Sequence, residues 1–416
     1  MGNSMRLLFV VDGRSPISMN WISYFVETGH EVHLASTFPC EPDLSLTSLT
    51  FIPVAFSGAK LKEVGRTSRS WMVNAISGAS YVKLRMLIRQ KLGPLTLNRS
   101  KPFLQRIIKQ VNPELVHAMR IPYEGMLAAL AFREFEQTHI RQKRPPLLIS
   151  VWGNDFTLHA PSSVLMKRYT QETLLSADAL HTDCLRDERL AYEWGFRRER
   201  PTIVLPGGGG VRLDIFSPPI SSESLDENGM RVINPRGVRA YIRNDIFFEA
   251  AKLVLMKNPE VRFTCPGMAD EPQIEKIVNQ MGLSSKIELL PRVSYAKMPE
   301  LFKSAQVAVS PSTHDGTPNT LLEAMACGCF PIAGDIESVR EWITPGENGL
   351  LVNPIDPYQL AEAIDISLHD NELRSKAARI NNRLIEEKAS YQVVMKRAEE
   401  YYRLLINGVS QNGDKV

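Results

Sequence analysis

The sequence predicts an α/β protein built from two doubly wound, Rossmann-like domains in tandem, and three observations predict it. Short apolar strands alternate with helix-length segments along the chain, the pattern of a parallel sheet with helical crossovers. The alternation breaks once, where Gly207 to Gly210 are four consecutive glycines and Ser217 to Gly229 is rich in Pro, Ser and acids, a linker composition. A length of 416 residues exceeds one ordinary core but suits two domains of roughly 200 residues each. The expected organisation is an N-terminal domain over 1–206, a linker over 207–229, a second domain over 230–390, and a terminal helix and tail over 391–416.

Leu7–Val11 is an apolar run ending in the turn Asp12-Gly13-Arg14, and a helix over Ser18 to Thr28 stops at Gly29, a glycine in the position that ends helices. Further strands are predicted at Val32–Ala35, Leu49–Val54, Leu115–His117, Leu147–Val151, Ala179–Thr182 and Thr202–Leu205. After the linker the pattern restarts with Arg231–Asn234, Arg262–Cys265, Ile287–Leu290, Val307–Ser310, Pro331–Ala333 and Gly349–Val352, separated by helices such as Ile246–Lys257 and Tyr358–Leu368. In the last helix, Tyr391, Val394, Met395, Ala398, Tyr402 and Leu405 recur at three- and four-residue spacing. That is an apolar stripe facing a core, although periodicity does not say which core.

The net charge of +3 does not argue for a nucleic-acid partner. The five cysteines are scattered and form no Cys-x-x-Cys or Cys/His cluster, so no metal site is expected and reduced thiols in a cytosolic compartment are the simplest reading. Met1 to Arg6 lead straight into a strand without the apolar core of a signal peptide. Met-Gly invites N-myristoylation, but Arg6 stands where Ser or Thr would be wanted. No stretch reaches the length of a spanning helix.

Ligands of such sheets bind at the carboxyl ends of strands, and two facing domains create a cleft. The segment after Val307–Ser310 therefore matters: Asp315-Gly316-Thr317-Pro318-Asn319-Thr320-Leu321-Leu322-Glu323, continuing Ala-Met-Ala-Cys-Gly328. Asn319 reads as the N-cap of a helix, which leaves the N–H groups of Thr320 and Leu321 for an anion such as a diphosphate. Asp315 can accept hydrogen bonds from sugar hydroxyls, and Glu323, placed in the first turn, from a ribose. The same acid also has a purely structural account, since a carboxylate there stabilises a helix by about 0.3–1 kcal/mol with no ligand.

This segment resembles the retaining glycosyltransferases of family four, which have the GT-B fold. Their mark is an acid, seven residues, then Glu, followed by an Ala-Met-Ala-x-Gly-type helix, here Asp315 to Glu323 with Asp in place of the commoner Glu. Pro331-Ile-Ala-Gly-Asp335 and Pro345-Gly-Glu-Asn-Gly-Leu-Leu-Val352 continue the resemblance, which covers most of residues 230–405. Ile336-Glu-Ser338 departs from the Gly-Gly pair usual after the Asp335 position. The fold implied is GT-B, two Rossmann-like domains facing a central cleft.

The resemblance further implies that an Arg just after the first strand of the second domain and a basic residue beyond it grip the donor diphosphate. Arg236 matches the first; Arg243 is the candidate for the second, with Arg239 as rival. Cations fixed there would stabilise a departing diphosphate, while three loop arginines are also ordinary surface residues. In the first domain the family often carries His-x-His; His117 is kept as a catalytic candidate and Met119 takes the second place. A lone His beside a strand also serves as a satisfied core residue. Gly13 is what remains of the family's glycine-rich loop and is included in the donor site. After the strand ending at Val151, Trp152, Asn154 and Asp155 are the acceptor-side candidates, with a buried Trp and a polar turn as the structural account.

Residues 64–113 hold ten Lys or Arg and no Asp or Glu, interleaved with apolar residues. Such a segment suggests an anionic membrane surface or a lipid-linked acceptor, or else a solvated basic face; no nucleic-acid module accompanies it. The resemblance thus implies a retaining glycosyltransferase moving a sugar from a nucleotide-diphosphate donor to a glycan, lipid-linked or small-molecule acceptor, with no cofactor required, in cell-surface polysaccharide or glycolipid synthesis. The expected location is cytoplasmic, with a peripheral contact on the inner face of the membrane. The competing readings are a nucleotide-sugar epimerase of the same fold and a non-catalytic sugar-nucleotide-binding protein.

Overall fold

A computed structural model of the protein describes residues 3–54, 78–138, 144–219 and 229–411, without side-chain detail at 78–92, 134–138 and 409–411. The chain divides into two compact units. The first comprises Met1–Asp183, Asp187–Gly208 and Arg397–Val416; the second comprises Cys184–Arg186 and Gly209–Lys396.

Among the described residues the first unit carries seven parallel strands, β1 (Arg6–Val11), β2 (Glu31–Ser36), β3 (Ser48–Phe51), β4 (Leu115–Ala118), β5 (Leu147–Val151), β6 (Ala179–Thr182) and β7 (Thr202–Val204), in the order β3-β2-β1-β4-β5-β6-β7. β4, β5 and β6 are buried at every position, as both faces of a parallel sheet are covered, so apolar residues predominate and the buried His117, Ser150 and His181 must find partners inside the protein. The second unit has β8 (Arg231–Ile233), β9 (Arg262–Pro266), β10 (Ile287–Leu290), β11 (Val307–Ser310), β12 (Phe330–Gly334) and β13 (Leu350–Val352), all parallel and ordered β10-β9-β8-β11-β12-β13. Its core is centred on Phe247, Phe248, Phe263, Val307 and Ile332. Burying each such side chain is worth about 1.5–3 kcal/mol.

Each sheet has one point where the strand order reverses: between β1 and β4 in the first, between β8 and β11 in the second. The loops leaving those strands diverge to opposite faces and open a crevice, the usual ligand position in doubly wound sheets.

Three local expectations change. The first helix is Pro16–Glu27, starting before Ser18; Ser15 caps it by accepting from Ser18 N at 3.3 Å, and Pro16 supplies the preset φ of a first turn. The helix after β11 is Asn319–Ala326, with Pro318 rather than Asn319 at the cap. Glu323 is therefore its fifth residue, beyond the first turn, and the helix-dipole account does not apply to it. Finally, the glycine run is not loose linker throughout: Gly207, Gly208 and Gly209 are buried. A Cβ on Gly210 (φ +86°) would collide with the Ala389 carbonyl, and Val211 N donates to that same oxygen at 2.7 Å. Residues 220–228 lie outside the described ones.

The terminal helix is Tyr391–Gln411, and its six predicted stripe residues are all buried. Residues up to Lys396 belong to the second unit and those from Arg397 to the first, where Tyr402 stacks on Phe25 at 4.6 Å. Among the described residues no helix is long and apolar enough to cross a membrane.

Candidate functional site

At the reversal point of the second sheet, the loop after β8 (234–243) and the loop after β11 (311–318) are zipped together. Arg243 N donates to Pro311 O at 3.0 Å and Thr313 N to Tyr241 O at 2.9 Å. The β8 loop is also braced from within. Asn234 Oδ1 accepts from Arg236 N (3.2 Å), its Nδ2 donates to Asn244 Oδ1 (3.0 Å), and Asn244 Nδ2 donates to Gly237 O (2.9 Å). Gly237 takes φ +62°, a left-handed turn conformation that favours glycine.

This scaffold aims Arg236 inward. Its Nη1 donates to Thr320 Oγ1 at 2.8 Å, and its Nη2 pairs with the Asp315 carboxylate, the two side chains being 9% and 13% exposed. The buried Nε has no partner among the described residues. Asp315 Oδ1 accepts from Gly316 N at 3.1 Å. The Asp315 carbonyl accepts from Ser338 Oγ at 2.8 Å, which shows what the residue replacing a glycine pair does here. Thr317 Oγ1 accepts from Trp342 Nε1 at 3.2 Å.

At the helix start, Leu321 N is spent on Pro318 O at 2.9 Å, so it is not among the groups facing a ligand. Asn319 and Thr320, the first two helical residues, have no helical acceptor for their N–H groups. Glu323 is buried, and that burial pushes its carboxyl up to about 7, with Arg236 opposing the shift. Arg243 lies further out, paired with Asp245 at 2.6 Å and partly exposed. Arg239 donates to Tyr241 Oη at 3.3 Å in an exposed position.

In the first unit, the structure places His117 in the core, 1% exposed. Its Nδ1 is 2.5 Å from Tyr402 Oη and its Nε2 2.7 Å from Ser150 Oγ. Tyr402 Oη also accepts from Trp21 Nε1 (2.9 Å), Ser150 Oγ reaches His181 Nδ1 (2.8 Å), and His181 Nε2 reaches Leu205 O (2.9 Å). Leu205 O can only accept and Trp21 Nε1 can only donate, so the donor direction along the whole chain is fixed. Both rings are neutral: burial holds His117 well below its ordinary range, and burial pushes His181 down to about 4. With both nitrogens engaged, His117 fastens the terminal helix to the sheet rather than facing a ligand.

Gly13 N donates to Ser36 Oγ at 3.0 Å, and Cys40 Sγ stands where a Cβ on this residue would point, so a larger residue would require the Cys40 side chain to shift. Asp155 is 1% exposed and accepts from Arg120 Nε (3.1 Å), Ile121 N (3.2 Å) and Trp152 N (3.1 Å), so it organises the loop. Asn154 occupies the position before the turn Asp155–His159. Trp152 alone of the three acceptor-side candidates lines a cavity of about 340 Å³, with Asp12, Ser18, Phe38, Arg120, Tyr123 and Glu124 among its other walls. This cavity sits at the reversal point between β1 and β4. Sequence reasoning missed Arg120 and Glu124 as wall residues; their place just beyond a strand end was the available signal.

Two family models match in tandem: "Glycosyl transferase 4-like domain" over residues 13–207 and "Glycosyl transferases group 1" over 236–383. The chain is a GT-B-fold member of the glycosyltransferase superfamily. D-inositol 3-phosphate glycosyltransferase of Geodermatophilus obscurus is 26% identical over 224 residues, covering 50% of this chain and 49% of that protein. The α-D-kanosaminyltransferase of Streptomyces kanamyceticus is 26% identical over 149 residues, covering 36% and 37%. The chain thus spans about half the length, or less, of these curated relatives. Among solved structures, sucrose-phosphate synthase of Thermosynechococcus elongatus matches with TM-score 0.70 at 16% identity over 97% of this chain and 100% of that one. Anabaena HepE, solved in complex with UDP, matches with TM-score 0.69 at 14% identity over 95% and 99%.

Proposed function

We propose that this GT-B chain is a retaining glycosyltransferase that takes its sugar from a nucleoside-diphosphate donor held by the second unit. The observation that carries the proposal is the convergence of Arg236, Asp315, Thr320 and the buried Glu323 at the reversal point between β8 and β11. In this reading the donor diphosphate takes up the Arg236 guanidinium, joined by the first N–H groups of helix Asn319–Ala326, where an anion is favoured. Arg243 leaves Asp245 to reach the outer phosphate, with Arg239 in reserve. Asp315 and the loop Gly316-Thr317-Pro318 hold the sugar, and Glu323 the ribose. As the bond from the anomeric carbon to the diphosphate oxygen breaks, the fixed positive charge stabilises the leaving group. The acceptor hydroxyl attacks from the same face, and its proton passes to the leaving phosphate. UDP is the first nucleotide to test, since HepE is solved with it. Contact of residues 64–113 with an anionic membrane and a role in cell-surface glycan synthesis belong to the same proposal; residues 64–77 lie outside the described ones.

The test is thermal unfolding of wild type and Arg236→Ala with UDP, GDP and ADP, followed by a transfer assay with the matching sugar donor. A nucleotide at 100 times its dissociation constant adds about 2.7 kcal/mol. A shift with one nucleotide, lost in the variant, and a product that keeps the donor's anomeric configuration are expected. Folded protein that responds to no nucleotide refutes the donor site, and an inverted product refutes the mechanism.

A further inference from the structure

We propose that Trp342 is a positioning residue that braces the loop Asp315–Pro318 where a donor sugar is met. Its role toward the sugar rests on the function proposed above; the brace itself does not. After β12 the chain turns tightly over residues 337–342, where Arg340 N donates to Ile336 O at 3.2 Å and Ile343 N to Val339 O at 3.0 Å. Bonds to the fourth residue back give this turn helical spacing, so residues four apart share a side. Val339 and Ile343 form the side that enters the core, each 2% exposed. Ser338 and Trp342 form another side, and both reach the loop after β11. Ser338 Oγ donates to Asp315 O at 2.8 Å, and Trp342 Nε1 donates to Thr317 Oγ1 at 3.2 Å. An indole N–H can only donate, so the direction of the second bond is fixed. Arg186 Nη1 also donates to Asp315 O, at 2.5 Å, so that carbonyl keeps a donor when Ser338 is changed. The bond from Trp342 is therefore the more informative one to remove.

Trp342 can act as a brace because its own backbone is tied down. Asn348 Nδ2 donates to Trp342 O at 2.9 Å and to Asn381 Oδ1 at 2.9 Å, while its Oδ1 accepts from Thr344 N at 2.7 Å. Asn381 Nδ2 returns a bond to Asn348 O at 2.9 Å. A backbone N–H can only donate and a carbonyl can only accept, so the orientation of both amides is settled. Asn348 is 4% exposed and Asn381 0%, the latter on helix Asn371–Lys388. Buried amides that satisfy one another hold a single arrangement, because any other leaves polar groups unpaired. A path of bonds thus runs from helix Asn371–Lys388 through Asn381, Asn348 and Trp342 to Thr317. Thr317 is itself buried and stands between Asp315, which pairs with Arg236, and Thr320, to which Arg236 also donates. Holding Thr317 fixes where the Asp315 carboxylate stands relative to the start of helix Asn319–Ala326. Those are the groups proposed to meet the sugar and the diphosphate, and misplacing such a set by about 1 Å can cost about a hundredfold in rate.

The experiment compares the full wild-type chain with Trp342→Phe, which keeps an aromatic ring and removes the N–H. Without ligand, the Trp342 indole N–H resonance, identified by its absence in Trp342→Phe, should move upfield in Thr317→Val, which removes its acceptor. Hydrogen exchange at residues 315–321 should be about fivefold faster in Trp342→Phe, the effect of one lost hydrogen bond, with no change in β8 and β9. Asn381→Ala should loosen the same residues. The role toward the sugar is read by calorimetry with UDP, GDP and ADP, each beside its glucose conjugate. Trp342→Phe should weaken the sugar nucleotide about fivefold and leave the nucleotide alone nearly unchanged, a difference that general loosening of the unit would not produce. The brace is overturned if the indole resonance ignores Thr317→Val, or if exchange at 315–321 is no faster in Trp342→Phe. Should Asn381→Ala not fold, those two results decide. Equal weakening of both ligands, or of neither, overturns the positioning role. Wild type that binds no nucleotide refutes the donor reading and the role toward the sugar with it, while the ligand-free results still decide the brace.

Discussion

Replacing Glu323 with Gln should flatten the pH dependence of stability of the second unit. Its carboxyl titrates at about 7 when folded against an ordinary value of 4.5. Below pH 4.5 both folded and unfolded chains hold the proton, and the stability that the raised folded value supplies is fully present. Between those values the unfolded chain ionises first, so stability falls as pH rises, and the loss is complete above about 7. The difference corresponds to about 3 kcal/mol, undiscounted because the side chain is buried. Hydrogen exchange of the amides in β11 and β12, measured at pH 5 and pH 8, would read the stability of this unit separately from the first. Wild type should lose about 2.5 kcal/mol more than Glu323→Gln over that interval, the unfolded carboxyl being already mostly ionised at pH 5. Equal losses would refute the reasoning, because the buried proton would then not be on Glu323. The same proton gives a functional signature: a ribose held by the ionised carboxylate requires its release. UDP affinity should therefore rise from pH 6 to pH 8 in wild type and not in the variant, as calorimetry in two buffers of different ionisation enthalpy would show.

Arg236→Ala strands the largely buried Asp315 carboxylate and should cost about 3–5 kcal/mol in denaturant unfolding. Arg236→Lys should keep the fold better yet bind nucleotide more weakly, for want of the planar fork. The imidazoles of His117 and His181 should show no titration between pH 5 and 8 in NMR spectra, as their depressed ranges require; a midpoint near 6.5 in either would break the assigned hydrogen-bond chain. Tyr402→Phe removes the hydroxyl that joins Trp21 to His117 and should cost about 1–3 kcal/mol, with a smaller further loss when combined with Ser150→Ala. Gly334→Ala drives a Cβ into the Ser312 carbonyl, so it should displace the loop carrying Asp315 and destabilise by about 1–3 kcal/mol, measurable as a lower Tm.

Much of the architecture was legible in the residues themselves. A strand buried on both faces is predominantly apolar, so runs such as Leu147–Val151 and Val307–Ser310 announce themselves, and glycines such as Gly29 and Gly328 mark helix ends because only they take positive φ cheaply. The Asp315–Glu323 segment was legible for a similar reason: strand end, loop and helix are local. What needed the fold were facts of long sequence separation. Arg236 meets Asp315 and Thr320 across some 80 positions because the strand order reverses between β8 and β11. Glu323 holds a proton because of what packs around it, not because of its place along a helix. His117 reads as a candidate for chemistry in the sequence; partners at positions 150 and 402 turn it into a fastening. Sequence determines local geometry through backbone and periodicity, whereas the charge, protonation and accessibility of a side chain are set by neighbours that only the tertiary structure brings to it.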